Sequence, residues 1–291
     1  MADAIKIQLQ DIYEPITEEQ VRSSKNYVLR REKAASALAT LVDALLEDAA
    51  GEITRICYRY GVNPTTFTIS GAYNVKMMEE VAKVMDKLEE DILTLISDYS
   101  TICTEDKEKK NLLLLWVLAL GRNNQGLRQS LEQRLRVFLK DIEAMIAVAK
   151  TAKFDISKAL ILIKGNLHTV YQMPGMTAAF QNASLYEAEF IRSRGVKAGN
   201  RGSSNSEANN ILRFAKMTLQ MAWMHSLQQK FEEEGAAGYV CLRGSSYPCS
   251  FCDEVCGVFY PIESQFPLPV HPNCACYAVP VYEKDIQLLM Q

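Results

Sequence analysis

The sequence predicts a mainly α protein: a long, bundle-like helical body followed by a small α+β domain rich in cysteine and histidine. Helical periodicity runs almost without interruption to about residue 193, and its apolar positions recur at three- and four-residue steps. Six of the eight cysteines fall between Cys241 and Cys276, among short apolar runs punctuated by Gly, Ser and Pro. With 291 residues, 48% of them hydrophobic, the chain can bury one large core or two ordinary ones. The expected division is a helical body over 1–193, a linker over 194–205 and a cysteine/histidine domain over 206–291.

In chain order, Thr17-Glu18-Glu19-Gln20 fits a capping box opening a helix that runs to about Tyr60. Gly61 and Pro64 supply its stop, and Gly51 is a candidate break. Val81, Val84, Met85, Leu88, Ile92, Leu95, Ile96 and Tyr99 form one apolar stripe; Leu127, Leu131, Leu135, Phe138, Leu139, Ile142 and Ile146 form another. Between them lies the longest apolar run, Leu112 to Leu120, far short of the roughly 20 residues that cross a bilayer. It reads as a buried helix. A shorter helix is expected over Ser157 to Lys164, with Pro174-Gly175 as punctuation, and the set suggests an antiparallel bundle.

Residues 194–205 turn to Gly, Ser and Asn, the composition of a linker or flexible loop, with Arg192, Arg194, Lys197 and Arg201 in or beside it. Ser204-Asn205-Ser206-Glu207 fits a second capping box, for a helix to about Glu234 ended by Gly235 and Gly238. Tyr239–Leu242, Val258–Tyr260 and Cys276–Tyr282 are strand candidates, and Phe266-Pro267-Leu268-Pro269 is expected to be stiff and extended.

The helical body offers nothing catalytic. Glu79, Glu80, Glu89, Glu90 and Asp91, and the run Lys107–Lys110, read as solvated helix faces; Cys57 and Cys103 read as small buried residues; His168 has no partner nearby in sequence. No Ser-His-Asp order and no phosphate-binding glycine loop is present, so an enzyme is not expected. The start, MADAIKIQLQDIYEP, lacks the basic and apolar features of a secretory signal, so export by that route is not expected. Clustered cysteines in a reducing compartment favour metal or redox chemistry over disulfides.

The cluster reads Cys249-Ser-Phe-Cys252, then Cys256, then His271-Pro-Asn-Cys274-Ala-Cys276. A Cys-x2-Cys knuckle lets two donors converge on one ion, His271-x2-Cys274 has the same spacing, and two half-sites complete a tetrahedron. Cys249, Cys252, His271 and Cys274 are the expected ligands of one structural zinc. Cys276 and Cys256 are the alternates, Cys241 the most distant; disulfides or a redox pair are the competing readings. A closed site of this kind supplies folding energy to a segment with little core of its own.

The order of these pieces, a helix, a strand, C-S-F-C-D-E-V-C-G-V-F-Y-P-I, a Pro-rich spacer and H-P-N-C-A-C-Y-A-V-P-V, resembles the C-terminal domain of the phage Mu F-like minor head proteins, the phage head morphogenesis family. The resemblance covers about residues 204–283, with Gly257 and His271–Cys274 its most specific part. The family carries Arg between its last two cysteines where this chain has Ala275, so that residue's contribution is missing or supplied elsewhere. The resemblance implies a structural virion component, portal-associated or inside the capsid, acting in head assembly or in handling packaged DNA, and made in the host cytoplasm. Its implied partners are portal or capsid proteins, other copies of itself and, weakly, packaged DNA, with no membrane role.

Charge bears on the DNA contact. The chain has a formal net charge of -3, and residues 201–291 hold six Lys or Arg against nine Asp or Glu. Sequence-independent duplex binding needs a basic excess instead. A zinc-dependent nucleic-acid-binding module is therefore the second reading, and a toxin- or transferase-type enzyme the third.

Overall fold

The computed structural model describes residues 16–61, 75–120, 126–170 and 206–282. The fold is mainly helical with a small antiparallel sheet at its C-terminal end, the class expected from the sequence. The helices are α1 (Glu18–Tyr60), α2 (Val75–Thr101), α3 (Lys107–Ala119), α4 (Gly126–Thr151), α5 (Ile156–Asn166) and α6 (Glu207–Glu233). Then follow β1 (Ala236–Leu242), α7 (Ser250–Val255), β2 (Phe259–Pro261) and β3 (Tyr277–Tyr282). Residues 194–205, the expected linker, lie outside the described residues, as do Pro174-Gly175 and the four basic residues in and beside the linker.

The described chain gathers into two compact units. One draws on the segments Met1–Leu38, Ile96–Leu118 and Phe214–Gln291, the other on Ala39–Leu95 and Ala119–Arg213. Helices α1, α2 and α6 each contribute to both.

The second unit is all helix. The part of the Val81–Tyr99 stripe that lies in this unit turns inward, with Val81, Leu88 and Ile92 buried. Helix α4 begins the same way but is buried on every side from Asp141 to Ala149, and this takes two carboxylates, Asp141 and Glu143, out of solvent. Asp141 has a use there: its Oδ2 accepts the backbone N–H of Glu207 at 2.7 Å, one of the unpaired donors at the start of α6. Ser206 caps α6, its Oγ accepting from the Asn209 N–H at 3.4 Å; Ser204, which opens the expected box, lies outside the described residues. Gly51 does not break α1, because a helical glycine costs only about 1 kcal/mol and the surrounding packing outweighs it. The helix ends where expected, at Gly61, with φ 71.

In the first unit the sheet has strand order β2-β1-β3, all pairs antiparallel. Every residue of β1 except Ala237 is buried, which requires cover on both faces. Met224, Leu227 and Phe231 of α6 cover one face, packing with Ala236, Tyr239, Cys241 and Ala278. Val21 and Val28 of α1 cover the other, against Val240, Leu242, Tyr277, Val279 and Val281. Each fully buried side chain of this size is worth about 1.5–3 kcal/mol. The expected capping box of α1 is formed: Gln20 N–H donates to Thr17 Oγ1 at 3.2 Å and Thr17 N–H to Gln20 Oε1 at 2.7 Å.

Helix α3 departs from expectation. Only Leu113 and Val117 are buried, while Leu112, Leu115 and Leu118 are exposed by 55, 65 and 44%. A run that is apolar all round cannot show which face finds a partner, and here one face does. Among the described residues no helix is long and apolar enough to cross a membrane.

Candidate metal centre

The first half-site hangs from the end of β1. Arg243 forks across the loop that follows: Nη1 donates to the Cys249 carbonyl at 3.1 Å and to Asp253 at 2.6 Å, and Nη2 donates to the Tyr247 carbonyl. Cys249 thereby becomes the N-cap of α7, and Cys252 lies inside its first turn. The neighbouring Cys252 backbone N–H, as the largest influence, lowers the Cys249 thiol below its usual range, with Cys252 and His271 adding. The knuckle geometry thus favours a thiolate at Cys249.

The second half-site is a tight turn. Cys274 N–H donates to the His271 carbonyl at 3.0 Å, and Asn273 sits at φ 65, a conformation asparagine tolerates better than most residues. Cys274 and Cys276 then lead into β3. Gly244 lies flat against this segment: a Cβ there would fall 1.8 Å from the Ala275 carbonyl oxygen.

The expected ligands come together in part: Cys249, Cys252 and His271 form one close trio, and Cys274 is joined to it through Cys252. His271 Nε2 is 3.4 Å from Cys249 Sγ and 3.2 Å from Cys252 Sγ, and Cys252 Sγ is 4.0 Å from Cys274 Sγ. A tetrahedral ion with sulfur about 2.3 Å and nitrogen about 2.0 Å away has donor–donor edges of about 3.8 Å (S–S) and 3.6 Å (S–N). The three edges that meet at His271 and Cys252 agree to within a few tenths, whereas Cys274 lies more than 4.8 Å from at least one of Cys249 and His271, so closing a four-ligand site on one ion requires the two halves to draw together. The donors form two overlapping trios that share Cys252: Cys249, Cys252 and His271, and Cys252, Cys274 and Cys276. The alternate Cys276 is therefore at the cluster, whereas Cys256 belongs to neither trio and lies half-buried with its N–H on the Cys252 carbonyl at 2.9 Å. Cys241 is buried in the same core, and none of the eight cysteines is in a disulfide.

The electrostatics fit a cation. Burial first, then the thiols of Cys249, Cys274 and Cys276, hold Cys252 far above the ordinary thiol range. Cys274 is raised chiefly by the Cys276 thiol and by burial, and Cys241 by burial with Cys276 and Cys274 adding. So many adjacent sulfurs cannot all ionise without a positive charge among them, and a bound dication reverses that balance. His271 is prepared for the same role. Its Nδ1 faces the Pro272 carbonyl at 2.9 Å, which assigns Nδ1 as the N–H and leaves the Nε2 lone pair toward the sulfurs. That carbonyl is also the main reason the imidazole is held above its usual range, with Cys274 and Cys249 contributing. The cluster can hold a metal ion.

The other singled-out residues lie in ordinary surroundings. Glu80 pairs with Arg59 at 2.9 Å and with the Tyr60 hydroxyl at 2.5 Å, and Glu89 and Glu90 share Arg128 at 2.7 and 2.8 Å. Lys109 of the basic run pairs with Glu233 at 2.5 Å. Cys57 is buried, its thiol pushed up to about 12 by desolvation, and Cys103 donates to the Ser100 carbonyl at 3.4 Å. His168 has partners that sequence proximity could not reveal: Asp43 at 3.0 Å from Nε2 and Asn209 at 3.0 Å from Nδ1. One residue at the cluster escaped the sequence reading. Arg31 of α1 donates through Nη2 to the Cys274 carbonyl, and an arginine in a charged helix gives no signal of it.

Comparison with protein-family models, with curated proteins and with solved structures yields no match.

Proposed function

We propose that this chain is a structural phage virion protein, a portal-associated minor head protein in head morphogenesis, whose C-terminal segment is held together by one zinc ion. The observation that carries the proposal is the arrangement of the donors along the fold. Helix α6, strand β1, Cys249-x2-Cys252, strand β2, His271-x2-Cys274 and strand β3 follow in the order seen in the Mu F-like proteins that the sequence resembles. Mixed sulfur and nitrogen donors in close contact suit zinc better than the hard ions, which prefer oxygen. Cys249, Cys252, His271 and Cys274 hold it, and the fifth donor, Cys276, stands in reserve. The ion links the loop after β1 to the turn before β3 and so stabilises the sheet.

Binding to other virion proteins then falls to apolar helix surface. The exposed row Leu112, Leu115 and Leu118 on α3 is the clearest example, since surfaces of this kind commonly mark protein interfaces. A Leu112→Glu, Leu115→Glu variant tests this part. It is expected to fold and retain its metal but to be missing from purified virions; normal incorporation would refute a docking role for that row.

A further inference from the structure

Arg31 sits one turn after Val28 on α1, and its side chain has no solvent exposure. A buried guanidinium is costly unless its charge and its donors are used. Part of the charge is met by Glu32, whose Oε1 accepts Arg31 Nε at 3.0 Å and also the Gln220 amide at 2.8 Å. Glu32, however, is partly exposed, and Nη1 of Arg31 has no hydrogen-bond partner among the described residues. The remaining contact is the informative one: Nη2 donates to the backbone carbonyl of Cys274. Cys274 is the expected ligand whose sulfur joins the trio of Cys252 and Cys276, and its carbonyl fixes the course of the chain that carries two of the thiols. Three thiolates, an imidazole and a dication sum to a net -1; Cys252 and Cys274 are buried, Cys249 and His271 half-buried, and Arg31 is the one buried Lys or Arg among the described residues.

We infer that Arg31 is a positioning residue of the metal centre, supplied by a helix distant in sequence, which fixes the backbone at Cys274 and offsets the surplus negative charge of the metal-bound cluster. The inference rests on the metal reading given above. It couples the two ends of the chain: seating the first part of α1 on the sheet completes the surroundings of the ion, so metal affinity reports whether α1 is in place. Residues that orient ligands in this way typically change metal affinity about 10- to 100-fold when removed.

The test is chelator competition on the full-length chain, with zinc for affinity and Co(II) for the absorption of its sulfur and nitrogen ligands. Arg31→Met keeps much of the length and removes the charge and the donors. It is expected to weaken zinc binding about 10- to 100-fold with unchanged helical circular dichroism and an unchanged Co(II) ligand-field spectrum. Arg31→Lys, which keeps a charge but has one nitrogen where the guanidinium uses a fork, is expected between wild type and Arg31→Met. Wild-type affinity in the Met variant would mean that Arg31 merely fills space, and would overturn the inference. Should the Met variant not fold, wild-type affinity in Arg31→Lys would overturn it equally. A wild-type chain that takes up no metal would instead remove the metal reading itself.

Discussion

His271 presents Nε2 to two sulfurs because the neighbouring Pro272 carbonyl engages Nδ1, and Cys249 is the readiest thiolate because the Cys252 N–H beside it lowers its thiol. These single-atom arrangements fix how the site responds to pH. In the metal-free protein Cys252, Cys274 and Cys241 are held above the ordinary thiol range, whereas in the unfolded chain they titrate near roughly 8.5. Above that pH the unfolded chain releases protons that the folded one retains. Folded stability is therefore fully present below about pH 8.5 and is lost as pH rises toward the folded values. With the ion bound the thiolates are already formed, so the sign reverses and acid becomes the threat. Thermal melts from pH 7 to 9.5 should show the metal-free protein losing stability and the loaded protein holding it; parallel curves would contradict this. At Gly244, the close approach to the Ala275 carbonyl leaves no room for a side chain. Gly244→Ala should cost about 1–3 kcal/mol in chemical denaturation and weaken metal binding, since the same segment carries Cys274 and Cys276. The donors of the cluster were legible from spacing alone, because Cys-x2-Cys and His-x2-Cys report local geometry. Arg31 was not, because its contact spans 243 positions in sequence and leaves no local trace.

Helices α2 and α4 were readable from their apolar stripes, since each repeats a burial pattern over many turns. What the stripes could not convey was the all-round burial of α4 over 141–149, where Asp141 serves the start of another helix. That contact and the Ser206 hydroxyl together satisfy two backbone donors at the start of α6. By contrast, the α1 box is purely local and formed as expected. Thr17→Ala should therefore destabilise the protein by about 1 kcal/mol, measured by denaturant unfolding, and the second change Gln20→Ala should add less than its own separate cost because the two residues act as a pair. Additive losses would argue against the reciprocal box. The apolar run of α3 has the opposite lesson. With Leu on all sides it suggested full burial, yet three leucines stand exposed, and their accessibility is what makes that helix a docking surface in the proposed function.

At the scale of the molecule, the sheet is a layer between two helices drawn from the two ends of the chain, α6 on one face and the first part of α1 on the other. The strands and the cysteine and histidine donors could be found in the last third of the sequence, but the cover supplied by α1 could not. It follows that residues 206–291 alone would leave Val240, Leu242, Val279 and Val281 facing water. That fragment should bind a hydrophobic dye and show no cooperative melt even with zinc, and a cooperative melt would show that α1 is dispensable. The central claim is that one metal ion organises this layer. Metal analysis of the purified full-length protein beside a Cys249→Ser, Cys252→Ser variant tests it most directly: one equivalent of zinc is expected in the wild type, lost in the variant together with protease resistance of the C-terminal segment. A wild-type protein that carries no metal and is equally resistant would contradict it.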